Sequence, residues 1–230
     1  METGILYLVA TPIGNLEDIT LRALRILGEV DYVLCEDTRV TGKLLAHYEI
    51  KQSLRRYDAH ASQLVADNIL ADLAAGKNLA LVSDAGTPGV SDPGVLLVQA
   101  AREQGLRVEV VPGASAVTAA FSLAGLVGNQ FTFLGFAPLK KGRQTFLKEL
   151  TSYSRPVIFF ESTHRIVKML TEMAAVPELA LRPLLLMREL TKLHEEVLTG
   201  TPADLLAALT TTPVKQKGEF VLVVPPALSS

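Results

Sequence analysis

The chain has 230 residues, enough for one large domain or two smaller ones, and its 49% apolar and 20% charged residues exclude a disordered chain. A formal charge of −2 excludes a protein that coats nucleic acid nonspecifically, while leaving room for local basic patches and a structured RNA target. A single cysteine, Cys35, excludes an intrachain disulfide framework and suits a reducing compartment, and with four scattered histidines it makes no metal site.

At the amino end, Met1 to Ala10 is too short and lacks the basic flank of a signal peptide, and no apolar run reaches about 18 residues. A cytoplasmic enzyme without a membrane span is expected. Apolar runs then alternate with amphipathic stretches: strand Gly4 to Ala10, helix Ile19 to Leu27, strand Tyr32 to Cys35, helix Thr38 to Tyr48. Helix Ser62 to Ala75, strand Leu79 to Val82, helix Gly94 to Gln104, strand Arg107 to Val111 and helix Ala114 to Ala124 continue the alternation. This pattern predicts a parallel, helix-covered sheet, with Gly76 and Gly105 ending helices.

After Gly128 the texture changes. Strand Phe131 to Phe136, a basic loop Pro138 to Arg143, helix Gln144 to Ser152, strand Pro156 to Phe160 and helix Thr163 to Ala174 come first. Strands near Leu184 to Glu189, Glu195 to Thr199 and Glu219 to Val224 follow with one helix among them, Pro202 to Leu209, which predicts a mixed second sheet. Two α/β domains, 1–115 and 116–230, are expected, packed around a shared cleft because no Ser- or Gly-rich linker separates them.

Three Pro/Gly-rich loops follow three strands: Thr11-Pro12-Ile13-Gly14-Asn15, Ser83 to Gly94, and Pro112-Gly113-Ala114-Ser115. Open α/β sheets bind ligands beyond the carboxyl ends of their strands, and glycine and proline let a fixed backbone approach a small molecule closely. Each loop alone reads equally as an ordinary strand-to-helix turn. No Gly-x-Gly-x-x-Gly with an acidic residue about 20 positions on is present, which disfavours a nucleotide-binding dehydrogenase.

Together with Cys35-Glu36-Asp37-Thr38-Arg39, Gly135-Phe136-Ala137-Pro138, Glu161-Ser162-Thr163-His164-Arg165, Arg188 to Glu196 and Lys217 to Val221, these loops form eight ordered blocks. In that order they resemble the tetrapyrrole-methylase superfamily, and within it the ribosomal branch, over residues 4 to about 224. The resemblance implies a two-domain α/β fold with S-adenosyl-L-methionine in the interdomain cleft, and a homodimer. It implies 2′-O-methylation of a decoding-centre cytidine in 16S rRNA, with the small ribosomal subunit as partner. By position, Pro12, Gly14, Ser83, Asp84, Ala85, Gly86, Thr87, Pro88, Pro112, Gly113, Ala114 and Ser115 would bind the cofactor.

The first loop lacks the Gly-x-Gly-Pro-Gly-Asp of the porphyrin and corrin branch, which favours RNA over a tetrapyrrole substrate. The ribosomal branch continues beyond the last block into a helical extension, whereas this sequence ends at Ser230, so a weaker hold on RNA is expected. A noncatalytic RNA-binding module is the other alternative, opposed by the intact loops.

Methyl transfer from a sulfonium needs mainly alignment and exclusion of water, with help for a weakly nucleophilic ribose hydroxyl. The expected catalytic group is Arg39 with Glu36 or Asp37 orienting it, although Asp37 reads equally as a helix N-cap. Arg39, Lys140, Lys141, Arg143, Arg188 and Lys192 are the expected RNA contacts. Arg55, Arg56 and His60 form a second basic segment facing RNA or solvent; His164-Arg165 lies, by the resemblance, near the cofactor cleft, with an ordinary strand-helix junction as the alternative, and His194 is read more readily as structural than as a base.

Overall fold

The computed structural model describes residues 2–58, 61–91 and 94–227. They form two compact units, Met1–Ser115 and Ala116–Ser230. Among the described residues no helix is long and apolar enough to cross a membrane.

The first unit is a five-stranded parallel sheet in the order β3-β2-β4-β1-β5. Its strands are β1 (Ile5–Val9), β2 (Tyr32–Cys35), β3 (Leu54–Arg56), β4 (Leu79–Leu81) and β5 (Arg107–Val111). Helices α1 (Leu21–Glu29), α2 (Thr38–His47), α3 (Gln63–Ala74) and α4 (Gly94–Glu103) connect them. Every residue of β2 and β4 is buried, because a parallel sheet with helices on both faces leaves neither face to water. Alternation along the strands then divides the core: Tyr32, Leu34, Leu79 and Leu81 pack with Leu70, Leu73 and Leu97, whereas Val33, Cys35, Ala80 and Val82 pack with Ile26, Leu27 and Leu45.

Two helices close as their glycines predict. Gly76, at φ +92°, donates its N–H to the Leu73 carbonyl after α3, and Gly105, at φ +69°, does the same to Arg102 after α4. The edge strand β3 escapes the apolar pattern because two of its three residues are arginines. Arg55 lies 3.6 Å over the Tyr32 ring and bridges to Asp72, while Arg56 bridges to Asp58, so neither cation of this segment is a bare surface charge. His60 lies outside the described residues.

The second unit is a mixed sheet in the order β6-β7-β10-β8-β9: β6 (Thr132–Phe136), β7 (Val157–Ser162), β8 (Leu184–Arg188), β9 (Glu196–Gly200) and β10 (Glu219–Val224). Only β6 and β7 run parallel; the other pairs are antiparallel. β10 reaches the middle of the sheet from the end of the chain, and all of it but Glu219 is buried. Helices α5 (Ala116–Ala124), α6 (Arg143–Leu150), α7 (Ile166–Ala174), α8 (Pro177–Ala180) and α9 (Pro202–Thr211) complete the unit. Its core gathers Phe159, Met169, Leu170, Leu186, Leu209 and Phe220, all at most 1% exposed. α9 starts on a capping box, with Thr201 Oγ1 accepting from Asp204 N and Asp204 Oδ2 accepting from Thr201 N. The four-residue α8, opened by Pro177, is too short to show a helical period in the sequence.

Candidate functional site

Strands β4, β1 and β5 are neighbours, so the loops that leave their carboxyl ends meet at one edge of the first sheet. They are joined by specific bonds. Thr11 and Gly86 exchange both backbone hydrogen bonds, at 3.0 and 3.1 Å, and Thr11 Oγ1 donates to the Ser83 carbonyl at 3.1 Å. Ser83 Oγ donates to the Ala85 and Gly86 carbonyls, Thr87 Oγ1 donates to the Ala114 carbonyl at 3.1 Å, and Ala10 N donates to the Val111 carbonyl.

Close approach explains two of the glycines. Gly86 has φ +85°, and a Cβ there would stand 3.2 Å from Ile13 Cγ2; a Cβ on Gly113 would stand 3.0 Å from Ala10 Cβ. The expected cofactor residues therefore divide by exposure. Ser83, Gly86 and Pro88 are buried, the first two bonded to Thr11 of the first loop, while Gly14, Asp84, Ala85, Pro112 and Gly113 are exposed at the surface and Pro12, Thr87, Ala114 and Ser115 lie between. Asp92 and Pro93, from the same sequence run, lie outside the described residues.

The segment after β2 joins this edge through Asp84, whose Oδ1 accepts from Asp37 N at 3.2 Å. Asp37 fills both roles that the sequence left open. Its Oδ1 caps α2 by accepting from Arg39 N at 2.8 Å, and its two carboxylate oxygens hold the Arg39 guanidinium at 3.0 and 2.6 Å. Hydrogen bonds from the Arg39 side chain and backbone hold the Asp37 carboxyl well below the usual carboxylate range. Such a group is a poor proton acceptor at neutral pH and a good anchor for a cation. Arg39 itself is 86% exposed, and Glu36 is half-buried beside the pair.

The cations of the second unit separate into two kinds. Lys140 and Lys141 are exposed on the loop between β6 and α6. Arg143 is not the third surface cation of that loop: only 5% of its side chain is exposed, and it pairs with Glu161 at 3.3 Å and with Glu172. Arg188 is likewise buried, and its three nitrogens donate to the carbonyls of Lys217, His194 and Val214. Lys192 is held between Glu189 and Glu219 at 3.0 and 3.2 Å. Burial works to lower its pKa, but those two carboxylates outweigh burial and raise it. Charge type is visible in a sequence, whereas partners supplied from 27 or 29 residues away are not. His164 and His194 are exposed; Arg165 pairs with Glu161. Glu161, at 1% exposure, and the Thr11 staple are the residues that sequence reasoning passed over. Arg165, four residues on from Glu161, was the available signal.

Residues 5–206 match the family of tetrapyrrole (corrin/porphyrin) methylases. The chain is 48% identical over 222 residues to "Ribosomal RNA small subunit methyltransferase I" of Xylella fastidiosa strain Temecula1, covering 96% of this chain and 81% of that protein. It is 47% identical over 226 residues to the protein of the same name from Neisseria meningitidis serogroup A, covering 97% and 77%. Among solved structures, the cobalamin biosynthetic enzyme cobalt precorrin-4 methyltransferase superimposes with a TM-score of 0.70 at 20% identity, over 96% of this chain and 94% of that one, a likeness of fold. A parallel sheet with three stapled Pro/Gly loops, a mixed second sheet and a family match running through both units place this chain in the tetrapyrrole (corrin/porphyrin) methylase family.

Proposed function

We propose that this chain transfers the methyl group of S-adenosyl-L-methionine to the ribose 2′-hydroxyl of a decoding-centre cytidine in 16S rRNA, acting on the small ribosomal subunit in the cytoplasm as a homodimer. The observation that carries this reading is 48% identity, across most of both chains, with a ribosomal RNA small subunit methyltransferase I. The donor set suits the cofactor: Gly14, Ala85 and Gly113 offer an exposed surface of backbone and small side chains, with one acidic group, Asp84, beside them. When bound, the cofactor supplies an electrophilic methyl group on a positively charged sulfur.

The chain's own residues then have to bring the hydroxyl into line and keep water out. Arg39, fixed by the Asp37 carboxylate, holds an RNA phosphate or ribose oxygen, and Glu36 shares the orienting role. Asp37 does not take the hydroxyl proton, because its carboxyl is held below the ordinary range. Lys140 and Lys141 contact phosphates, which lets a mildly acidic protein hold RNA through local charge and the shape of a looped segment.

The test is transfer from labelled S-adenosyl-L-methionine to small subunits lacking native methylation, beside free rRNA and uroporphyrinogen, with nucleoside analysis. Recovery of 2′-O-methylcytidine from subunits supports the proposal. Transfer to the porphyrin alone overturns the RNA assignment, and cofactor binding without transfer to any acceptor overturns the enzymatic one.

A further inference from the structure

The loop that carries Lys140 and Lys141 is anchored by a buried charge cluster that the methyl-transfer chemistry does not use. Glu161, at the end of β7, has a side chain with no exposure at all. Its Oε2 faces Arg143 Nη1 at 3.3 Å, and its Oε1 lies 2.8 Å from Arg165 Nε, which donates to Ser162 Oγ, and accepts from Ser162 N at 2.9 Å. Arg143 also pairs with Glu172 of α7, which the exposed Lys168 approaches at 3.8 Å from outside.

Such a cluster is poorly explained as a device for stability. Removing Glu161 and Arg143 from water costs much of what their attraction returns, and well-packed apolar residues often serve as well. Here Arg143 Nη2 is buried without a partner, a further cost. What apolar residues could not reproduce is the donation that leaves the cluster. Arg165 Nη1 donates to the Ala137 carbonyl and Arg143 Nη1 to the Pro138 carbonyl, each at 3.0 Å. One carboxylate thereby fixes, through two arginines, two successive carbonyls of the chain leaving β6.

That chain needs fixing. β6 shifts register against β7 between Phe133 and Phe136, where Gly135 has φ +64°, and beyond it the last backbone bond to β7 is from Ala137 N to the Phe160 carbonyl. On the far side Gly142, at φ +85°, turns the chain into α6, and its carbonyl accepts from Phe146 N. Leu139, Lys140 and Lys141 are left as a short exposed turn between two anchored ends. A mobile turn would lose conformational freedom on binding, whereas a turn already ordered would not.

We propose that Glu161, with Arg143 and Arg165, is a positioning cluster that pre-organises Lys140 and Lys141 for contact with RNA phosphates. This rests on the reading that the loop touches RNA. The experiment compares wild type, Glu161→Gln, Lys140→Ala with Lys141→Ala, and all three changes together. It measures kcat and KM on small subunits at several salt concentrations, trypsin cleavage after Lys140 and Lys141, and binding of S-adenosyl-L-methionine as a check of folding.

Glu161→Gln is expected to raise KM about tenfold, the equivalent of ordering one residue. It should leave kcat within about twofold and speed cleavage at the two lysines. Without those lysines, adding Glu161→Gln should change KM no further. Losing the lysines should itself lower the salt slope by about 1.4, at ~0.7 per single-stranded phosphate contact. An equal effect of Glu161→Gln with and without the lysines overturns the positioning role, as does an unchanged KM. An unchanged KM and salt slope on loss of the lysines instead overturns RNA contact by this loop and takes the proposal with it. Should Glu161→Gln fail to fold, Arg165→Lys replaces it throughout, retaining the charge beside Glu161 but losing the fork that also reaches Ala137.

Discussion

Replacing Gly86 by alanine adds one methyl group where the first and second loops cross. Gly86 sits at φ +85°, where an L-residue costs about 1–2 kcal/mol. The new Cβ would also stand 3.2 Å from Ile13 Cγ2 and 3.6 Å from the Ala114 carbonyl oxygen. Ile13 is only 8% exposed and cannot swing into solvent, so its displacement adds about 1 kcal/mol. The sum, about 2–3 kcal/mol, corresponds to a fall in Tm of roughly 4–12 °C at ~2–4 °C per kcal/mol.

Gly105→Ala separates the two contributions. It shares the left-handed backbone, at φ +69°, but its Cβ meets nothing within 4 Å, so only the dihedral cost of about 1–2 kcal/mol applies. Gly86→Ala should also weaken S-adenosyl-L-methionine about tenfold, because Ile13 and Ala114 lie within the other two loops and ~1.4 kcal/mol of distortion there is a factor of ten. Gly105→Ala should bind the cofactor as wild type does. Thermal melts and titration calorimetry on both variants check this. Equal losses of Tm, with wild-type cofactor affinity in Gly86→Ala, would refute the reasoning.

Thr11→Val keeps the shape but leaves the buried Ser83 carbonyl without its 3.1 Å donor, and should lower unfolding free energy by about 1–2 kcal/mol in urea melts. The Asp37 carboxyl, depressed by its hydrogen bonds from Arg39, contributes stability above the unfolded-chain value of about 3.9, lost as pH falls through the lower folded value. Carboxyl titration by NMR should show Asp37 ionised below the ordinary range, and Arg39→Gln should return its midpoint toward that range. The Tyr32 phenol is pushed up chiefly by burial and then by Asp72, so its contribution is complete below about pH 10 and declines as pH rises toward the folded value. Melts of Tyr32→Phe from neutral to alkaline pH should show that part of the decline missing. Phe159→Ala, at a site with no exposure in the second core, should cost about 3–5 kcal/mol in denaturant melts.

The elements legible in the sequence are those whose pattern is local. β2 and β4 are apolar throughout because both faces are covered, and Gly76 and Gly105 mark helix ends because only a left-handed residue closes them there. β3 and α8 were hidden for opposite reasons. Two arginines disguise the first as polar loop, since their partners Asp72 and Asp58 come from outside the strand, and four residues are too few to display a helical period in the second.

By itself the sequence determined the α/β class, a parallel first sheet and mixed second one, and the three loops that mark the family, because apolar period and turn chemistry act over a few residues. Tertiary structure alone decided which side chains are available. It set Arg39 on Asp37 in the open and left Lys140 and Lys141 exposed, but it buried Arg143 against Glu161, tied Arg188 to three carbonyls and enclosed Lys192 between two carboxylates. The physical reason is that a charge becomes structural or functional according to its partners, and for Arg143, Arg188 and Lys192 some of those partners lie 18 to 29 residues away along the chain.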